Sequence, residues 1–158
     1  MRRCRTIEQI ACGVVLSVLS LGAFAEGGKP ISERLPQMSP ELKQRLAKAD
    51  VEAGARFFER KCSQCHDAEK SGGHFKGPHL WNVFGRKAGT SPGFDYSPAM
   101  KRSGHVWNYE ALDYYLADTE TAVPGRAMNF IGIDDAALRA GVISYLRRFN
   151  DRVPPLPK

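Results

Sequence analysis

Cys62-Ser63-Gln64-Cys65-His66 concentrates the chemistry of this chain. Residues three and four apart share one face of a helical turn, so both thiols and the imidazole can address one planar object. Two sulfurs offer covalent bonds and one imidazole offers a metal ligand, which is the c-type haem attachment signature. A thioredoxin-like dithiol would need a βαβ setting, and a zinc site would need a fourth ligand at ligand spacing. The chain supplies His74, His79 and His105 but no further Cys downstream, so the haem reading is preferred.

An iron fixed by His66 keeps a second axial position, and its occupant separates an electron carrier from a gas-binding or catalytic haem. Met38, Met100, Met128, His74, His79 and His105 are the candidates. Met128 stands out because it follows the turn pair Pro124-Gly125 and precedes Phe130 and Gly132 in an irregular segment. A methionine is more often a core filler, so residue type alone leaves the choice open.

Helices must position these groups. Asp50 is the expected N-cap of a helix in which Val51, Gly54, Ala55, Phe58 and Cys62 recur at helical spacing and which ends in the cysteine pair. A second helix is expected after Asn108, running to about Ala117 with Leu112, Tyr115 and Leu116 on one side. A third begins near Asp134-Asp135, with the stripe Leu138, Val142, Tyr145, Leu146 and Phe149. Ser39-Pro40 can start a short helix through Leu42 and Leu46, and the Gly-, Pro- and Ser-rich stretch 72–104 reads as loops around a ligand or fixed contact, without a further regular layer. No strand alternation, internal repeat or low-complexity tract is apparent.

The amino terminus carries a different signal. Met1-Arg2-Arg3-Cys4-Arg5 is a basic n-region, residues 10–24 are apolar, and Ala23-Phe24-Ala25 supplies small residues before a cleavage point. Residues 1–25 therefore read as a secretory signal; the alternative, an uncleaved anchor, is disfavoured because the apolar stretch falls short of the roughly 20 residues needed to span a bilayer. Cleavage would remove Cys4 and Cys12, leaving Cys62 and Cys65 and excluding a disulfide framework. The remaining organisation is a polar leader over 26–49, a domain over 50–150 and a Pro-rich tail over 151–158. With 158 residues, one core is expected, and an apolar fraction of 42% argues against wholesale disorder. The balance of 23 basic against 17 acidic residues is too even along the chain to argue for nucleic acid binding.

Beyond the attachment motif, Gly77-Pro78 with Leu80, Phe84-Gly85-Arg86-Lys87-Ala88-Gly89, Gly93-Phe94-Asp95-Tyr96-Ser97, Trp107, Tyr115-Leu116, Pro124-Gly125 with Met128 and Phe130, and Tyr145-Leu146 follow in order. Together they resemble class I cytochrome c of the mitochondrial and bacterial c2 type over about residues 50–150. The resemblance implies an all-α fold of three core helices plus loops wrapped around one covalently attached haem c. It also implies Cys62 and Cys65 as thioether donors, His66 and Met128 as axial ligands, and the carbonyl of Pro78 as acceptor of the His66 ring N–H. Arg86, Tyr96 and Trp107 match positions that hydrogen-bond a buried haem propionate. Tyr115 matches the tyrosine near the Met sulfur, Phe130 the aromatic beside the exposed haem edge, and Gly54 with Phe58 the crossing of first and last helices.

Some positions depart from the family pattern. Arg126 stands where the family has a propionate-bonding threonine, Ala127 replaces a lysine, and Met100 takes an asparagine position as a packing residue. Near the expected haem edge Lys61, Lys76, Lys87 and Arg126 are joined by Glu120, Asp134 and Asp135, which dilutes a lysine-rich docking ring. The expectation is an exported, periplasmic, monomeric single-haem electron carrier and not an enzyme. Its partners would be a quinol oxidoreductase, an oxidase, a photosynthetic reaction centre or a dehydrogenase, with the membrane reached only through them or through an uncleaved amino terminus.

Overall fold

A computed structural model describes residues 28–33 and 35–158. The secretory signal expected over 1–25, with Cys4 and Cys12, lies outside the described residues. The described chain is helical, without named strands, in the order α1 (Pro40–Ala47), α2 (Val51–Lys61), α3 (Pro98–Arg102), α4 (Tyr109–Ala117), α5 (Thr119–Ala122) and α6 (Ala136–Leu146).

Each helix begins at a side-chain cap, which satisfies amide donors that have no partner within the helix. Ser39 accepts from the Leu42 amide, Asp50 from Ala53, Ser97 from Met100, Asn108 from Ala111, Asp118 from Thr121, and Asp135 from Leu138. Helices α2, α4 and α6 are the three expected. Helix α3 corrects the reading of 72–104 as loops alone, and α5 adds a single turn that the sequence periodicity is too short to reveal.

The frame is the crossing of α2 and α6 at two glycines. A Cβ on Gly54 would sit 2.2 Å from the Gly141 carbonyl, and one on Gly141 would sit 2.5 Å from the Asp50 carbonyl oxygen. Only hydrogen on both Cα atoms allows this approach. Phe58 packs on Tyr145 beside it, with ring centroids 5.4 Å apart.

Helix α6 is more enclosed than its expected stripe. Ala140, Gly141, Val142, Ile143, Ser144 and Leu146 are buried, whereas Leu138 and Tyr145 are half-buried. It packs against α1, α2 and α4 at once, so little of its circumference faces water. Arg139 is buried there too. Its Nε donates to Asp113 Oδ1 at 2.7 Å and its Nη1 to the Ile133 carbonyl at 2.6 Å. Asp113 also takes Arg45 Nη2 at 3.2 Å, which ties α1, α4 and α6 together.

The leader and tail are part of the packed body. Ile31, Leu42 and Leu46 of the segment read as a polar leader are buried with the main core. In the tail, Asp151 takes Lys70 Nζ at 2.7 Å and the Asn82 amide side chain at 2.5 Å, and the Pro154 carbonyl accepts from Tyr109 and Arg147.

Candidate haem site

The attachment motif forms where α2 runs out. Cys62 is its C-cap, and the amides of Cys65 and His66 return to the Cys62 carbonyl at 3.0 and 2.9 Å, adding one tight turn. That turn leaves both thiols unbonded and half-buried beside the half-buried imidazole, while Gln64 is exposed. Burial, with the neighbouring Cys65, pushes the Cys62 thiol up to about 11, so it stays protonated at neutral pH.

His66 is fixed from the side. Its Nδ1 lies 2.7 Å from the Pro78 carbonyl oxygen, which can only accept, so Nδ1 carries the proton and Nε2 keeps its lone pair. Burial lowers the imidazole pKa against the opposing pull of the Pro78 bond, and Arg86 lowers it further. The ring is thus held neutral, as a metal ligand must be. The Gly77 amide donates to the Cys65 carbonyl at 2.8 Å, and a Cβ on Gly77 would stand 2.4 Å from His66 Cε1. The imidazole uses the space that any side chain at 77 would fill.

Met128 lies on the segment after α4 and α5. Tyr115 is buried on α4 and directs its hydroxyl to Met128 Sδ at 3.9 Å; burial pushes that hydroxyl's pKa up to about 12. The loop carrying Met128 is anchored on Thr119 at the start of α5. Thr119 is 0% exposed, its hydroxyl donates to the carbonyls of Phe130 and Ile131, and its amide donates to Ile131 O at 3.0 Å. Arg126 donates from Nε to the Thr119 hydroxyl at 2.5 Å and from Nη2 to Phe130 O at 3.2 Å, and pairs with Glu120. The side chain standing in place of a propionate-bonding threonine is therefore committed to its own loop. Thr119 was not singled out from sequence; a threonine directly after the capping Asp118 carries no signal of a bond to a loop eleven residues on.

Arg86 and Trp107 are brought together by backbone pairing, Trp107 N to Arg86 O at 2.9 Å and Gly85 N to Trp107 O at 2.8 Å. The Arg86 guanidinium donates to the carbonyls of His79 and Trp81, and Tyr96 is close enough to influence its charge. Trp107 is packed edge-on between His105 and Tyr115, at centroid distances of 4.2 and 5.1 Å. His105 is itself a finding. It is 2% exposed, and burial holds its pKa down at about 4 against the opposing pull of the Ser103 backbone.

The apolar interior forms two buried clusters that share Leu80, Phe84 and Leu116, each only half-covered by protein. Met128, Tyr96 and Trp107 belong to one cluster, and Cys62, Phe58 and Phe130 to the other. Half-covered apolar side chains shared by the cluster of Met128 and the cluster of Cys62 fit a flat, largely apolar macrocycle. Among the described residues no cluster of three or more His, Cys, Asp or Glu could hold a bare ion.

Fold and site together define a helical protein built around one covalently attached haem. Residues 51–149 match the family model for cytochrome c, and the chain belongs to that family. It is 40% identical over 98 residues to a cytochrome c of Sesamum indicum, covering 62% of this chain and 88% of that one. A cytochrome c homolog of Bradyrhizobium diazoefficiens is 38% identical over 137 residues, 86% of this chain and 68% of that one. The cytochrome c-type cyt cy of Rhodobacter capsulatus is 44% identical over 97 residues, 61% of this chain and 48% of that one. The protein is accordingly a haem c electron carrier and not an enzyme.

Proposed function

We propose that this chain is an exported, periplasmic monohaem carrier in which Cys62 and Cys65 would hold the haem through thioethers while His66 and Met128 would be its axial ligands. The observation that carries this reading is the 2.7 Å contact of His66 Nδ1 with the Pro78 carbonyl, which leaves Nε2 as the free donor. Bound haem would supply an iron that alternates between ferrous and ferric by one electron, and Met/His ligation raises its potential. Pro78 holds the imidazole in one tautomer and strengthens it as a base. Tyr115 restrains the Met128 sulfur, and the half-buried aliphatic and aromatic side chains keep water out. Arg86, Tyr96 and Trp107 are the candidates to meet a buried propionate, with Arg86 as the positive charge.

Electron exchange would pass through the edge beside Phe130. Ile131, its neighbour, is 83% exposed, and Lys61, Lys76, Lys87, Glu120, Asp134 and Asp135 are exposed with mixed sign. A small, transient contact with an oxidase, a quinol oxidoreductase, a reaction centre or a dehydrogenase suits such a surface. The export reading rests on the amino-terminal pattern; no helix among the described residues is long and apolar enough to cross a membrane.

Met128→Ala tests the ligand set. The variant holoprotein is expected to lose the Met-to-iron charge-transfer absorption and to bind carbon monoxide when reduced. Retention of that absorption would overturn the assignment.

A further inference from the structure

The segment at residues 28–33 precedes the region that matches the family, yet it is seated on the element that carries the Met128 loop. Ile31 is 0% exposed and packs in the core cluster that includes Ala122 and Val123. Its amide donates to the Ala122 carbonyl at 2.9 Å. Tyr114 of α4 donates its hydroxyl to the Lys29 carbonyl, and Gly28 is so close to Thr121 that a Cβ there would meet Thr121 Cγ2 at 2.6 Å. Pro30 and Ser32 line a small cleft together with Val123 and Pro124, the residues that lead into the loop.

Helix α5 has four residues, far too few to persist alone. Its first residue, Thr119, holds Phe130 and Ile131 at the far end of the Met128 loop, and the Thr119 carbonyl accepts from Val123 at 3.1 Å at the near end. One side of this single turn thus carries the loop, while the other is covered by Ile31. An element that short moves with whatever holds it. Displacing Ile31 would free Ala122, then Thr119, and with them the backbone on which Met128 sits.

We propose that residues 28–33 form a strap that keeps Met128 in place, with Ile31 as a positioning residue for the sixth ligand; this rests on the reading of Met128 as that ligand. Its consequence is selective. The strap resists local opening of the Met128 loop, whereas His66 gains nothing from it because its restraints lie within residues 62–78.

The experiment uses ferric holoprotein and cyanide, which reaches the iron only when the sixth position opens. Ile31→Ala is expected to bind cyanide about tenfold faster, as when a local opening is eased by about 1.4 kcal/mol. Leu46→Ala truncates a similarly buried leader residue on α1, which packs on α6, and is expected to lower unfolding stability while keeping the wild-type cyanide rate. Tyr114→Phe removes only the bond to Lys29 and is expected to give about a threefold increase, which keeps the test available if Ile31→Ala yields no holoprotein. Wild-type cyanide rates in the Ile31 and Tyr114 variants, or an equal acceleration in Leu46→Ala, would overturn the strap. If Met128→Ala keeps the charge-transfer absorption, the ligand reading fails and the strap with it; if it loses the absorption while the strap variants bind cyanide normally, only the strap fails.

Discussion

His66 and the Met128 loop are held by different kinds of contact. His66 depends on neighbours in sequence: the Cys62 carbonyl, the Gly77 turn and the Pro78 carbonyl all lie within residues 62–78. Met128 depends on Tyr115, on Thr119 and, through α5, on Ile31, nearly a hundred residues earlier. Local restraints cost little chain entropy, because few residues must be ordered to make them. Long-range restraints can open one at a time. His66 is thus held by short-range contacts, whereas the position of Met128 is conditional on tertiary packing.

The largest expected effect is on the His66 side. Gly77→Val should abolish covalently loaded protein, measured as haem retained on a denaturing gel, because its Cβ would stand 2.4 Å from a ring that Pro78 holds in place. Gly125, in the turn before Met128, meets nothing closer than the Ala99 Cβ at 3.7 Å but has φ +79°. Gly125→Ala should therefore still load haem and lose only about 1 kcal/mol. Equal loading of the two variants would break the contrast.

Acid should act on the conditional side next. His105 is buried against Trp107, which touches Tyr115. Its folded pKa of about 4 lies below the ordinary 6.5, so the unfolded chain binds the extra proton first. Stability from this group is complete above pH 6.5 and drains away as pH falls towards 4. Denaturant titrations of His105→Leu should show a flatter acid limb than wild type, and an unchanged slope would remove His105 from the account.

Thr119→Val deletes the hydroxyl that serves Phe130, Ile131 and Arg126. A loss of about 2 kcal/mol is expected, with the Met-to-iron absorption vanishing at lower denaturant than the global transition. Coincident transitions would show that the Met128 loop has no separate stability. Tyr115→Phe should be mildest, under about 1 kcal/mol, since the hydroxyl contact to sulfur is long and weak. A shifted charge-transfer band with nearly unaltered unfolding would sharpen the view that Tyr115 tunes the Met128 sulfur without holding the loop.

Legibility in the sequence followed the same divide. Asp50, Asn108 and Asp135 mark helix starts because a cap acts on amides two or three residues away, so pattern and structure share one scale. Gly54 is readable as a crossing point only through the family pattern; its partner Gly141 was not singled out, because the clash that requires it is with another helix. Helices α3 and α5 escaped because one turn shows no period. Nothing near Arg139 in the sequence announces its burial, because the Asp113 that neutralises it comes from another helix. Ile31 escaped for a related reason, as a lone apolar residue among prolines and charges gives no sign of what it covers.

By itself the sequence determined the cofactor chemistry: Cys62, Cys65 and His66 share a face at the end of a capped helix, and bonds three or four residues long need no other part of the chain. The tertiary structure decided how the Met128 loop is anchored, where Arg126 places its donors, and that the leader is built into the core. Those outcomes depend on contacts between residues far apart in the chain, whose closure is set by the packing of the whole domain and by no spacing along it.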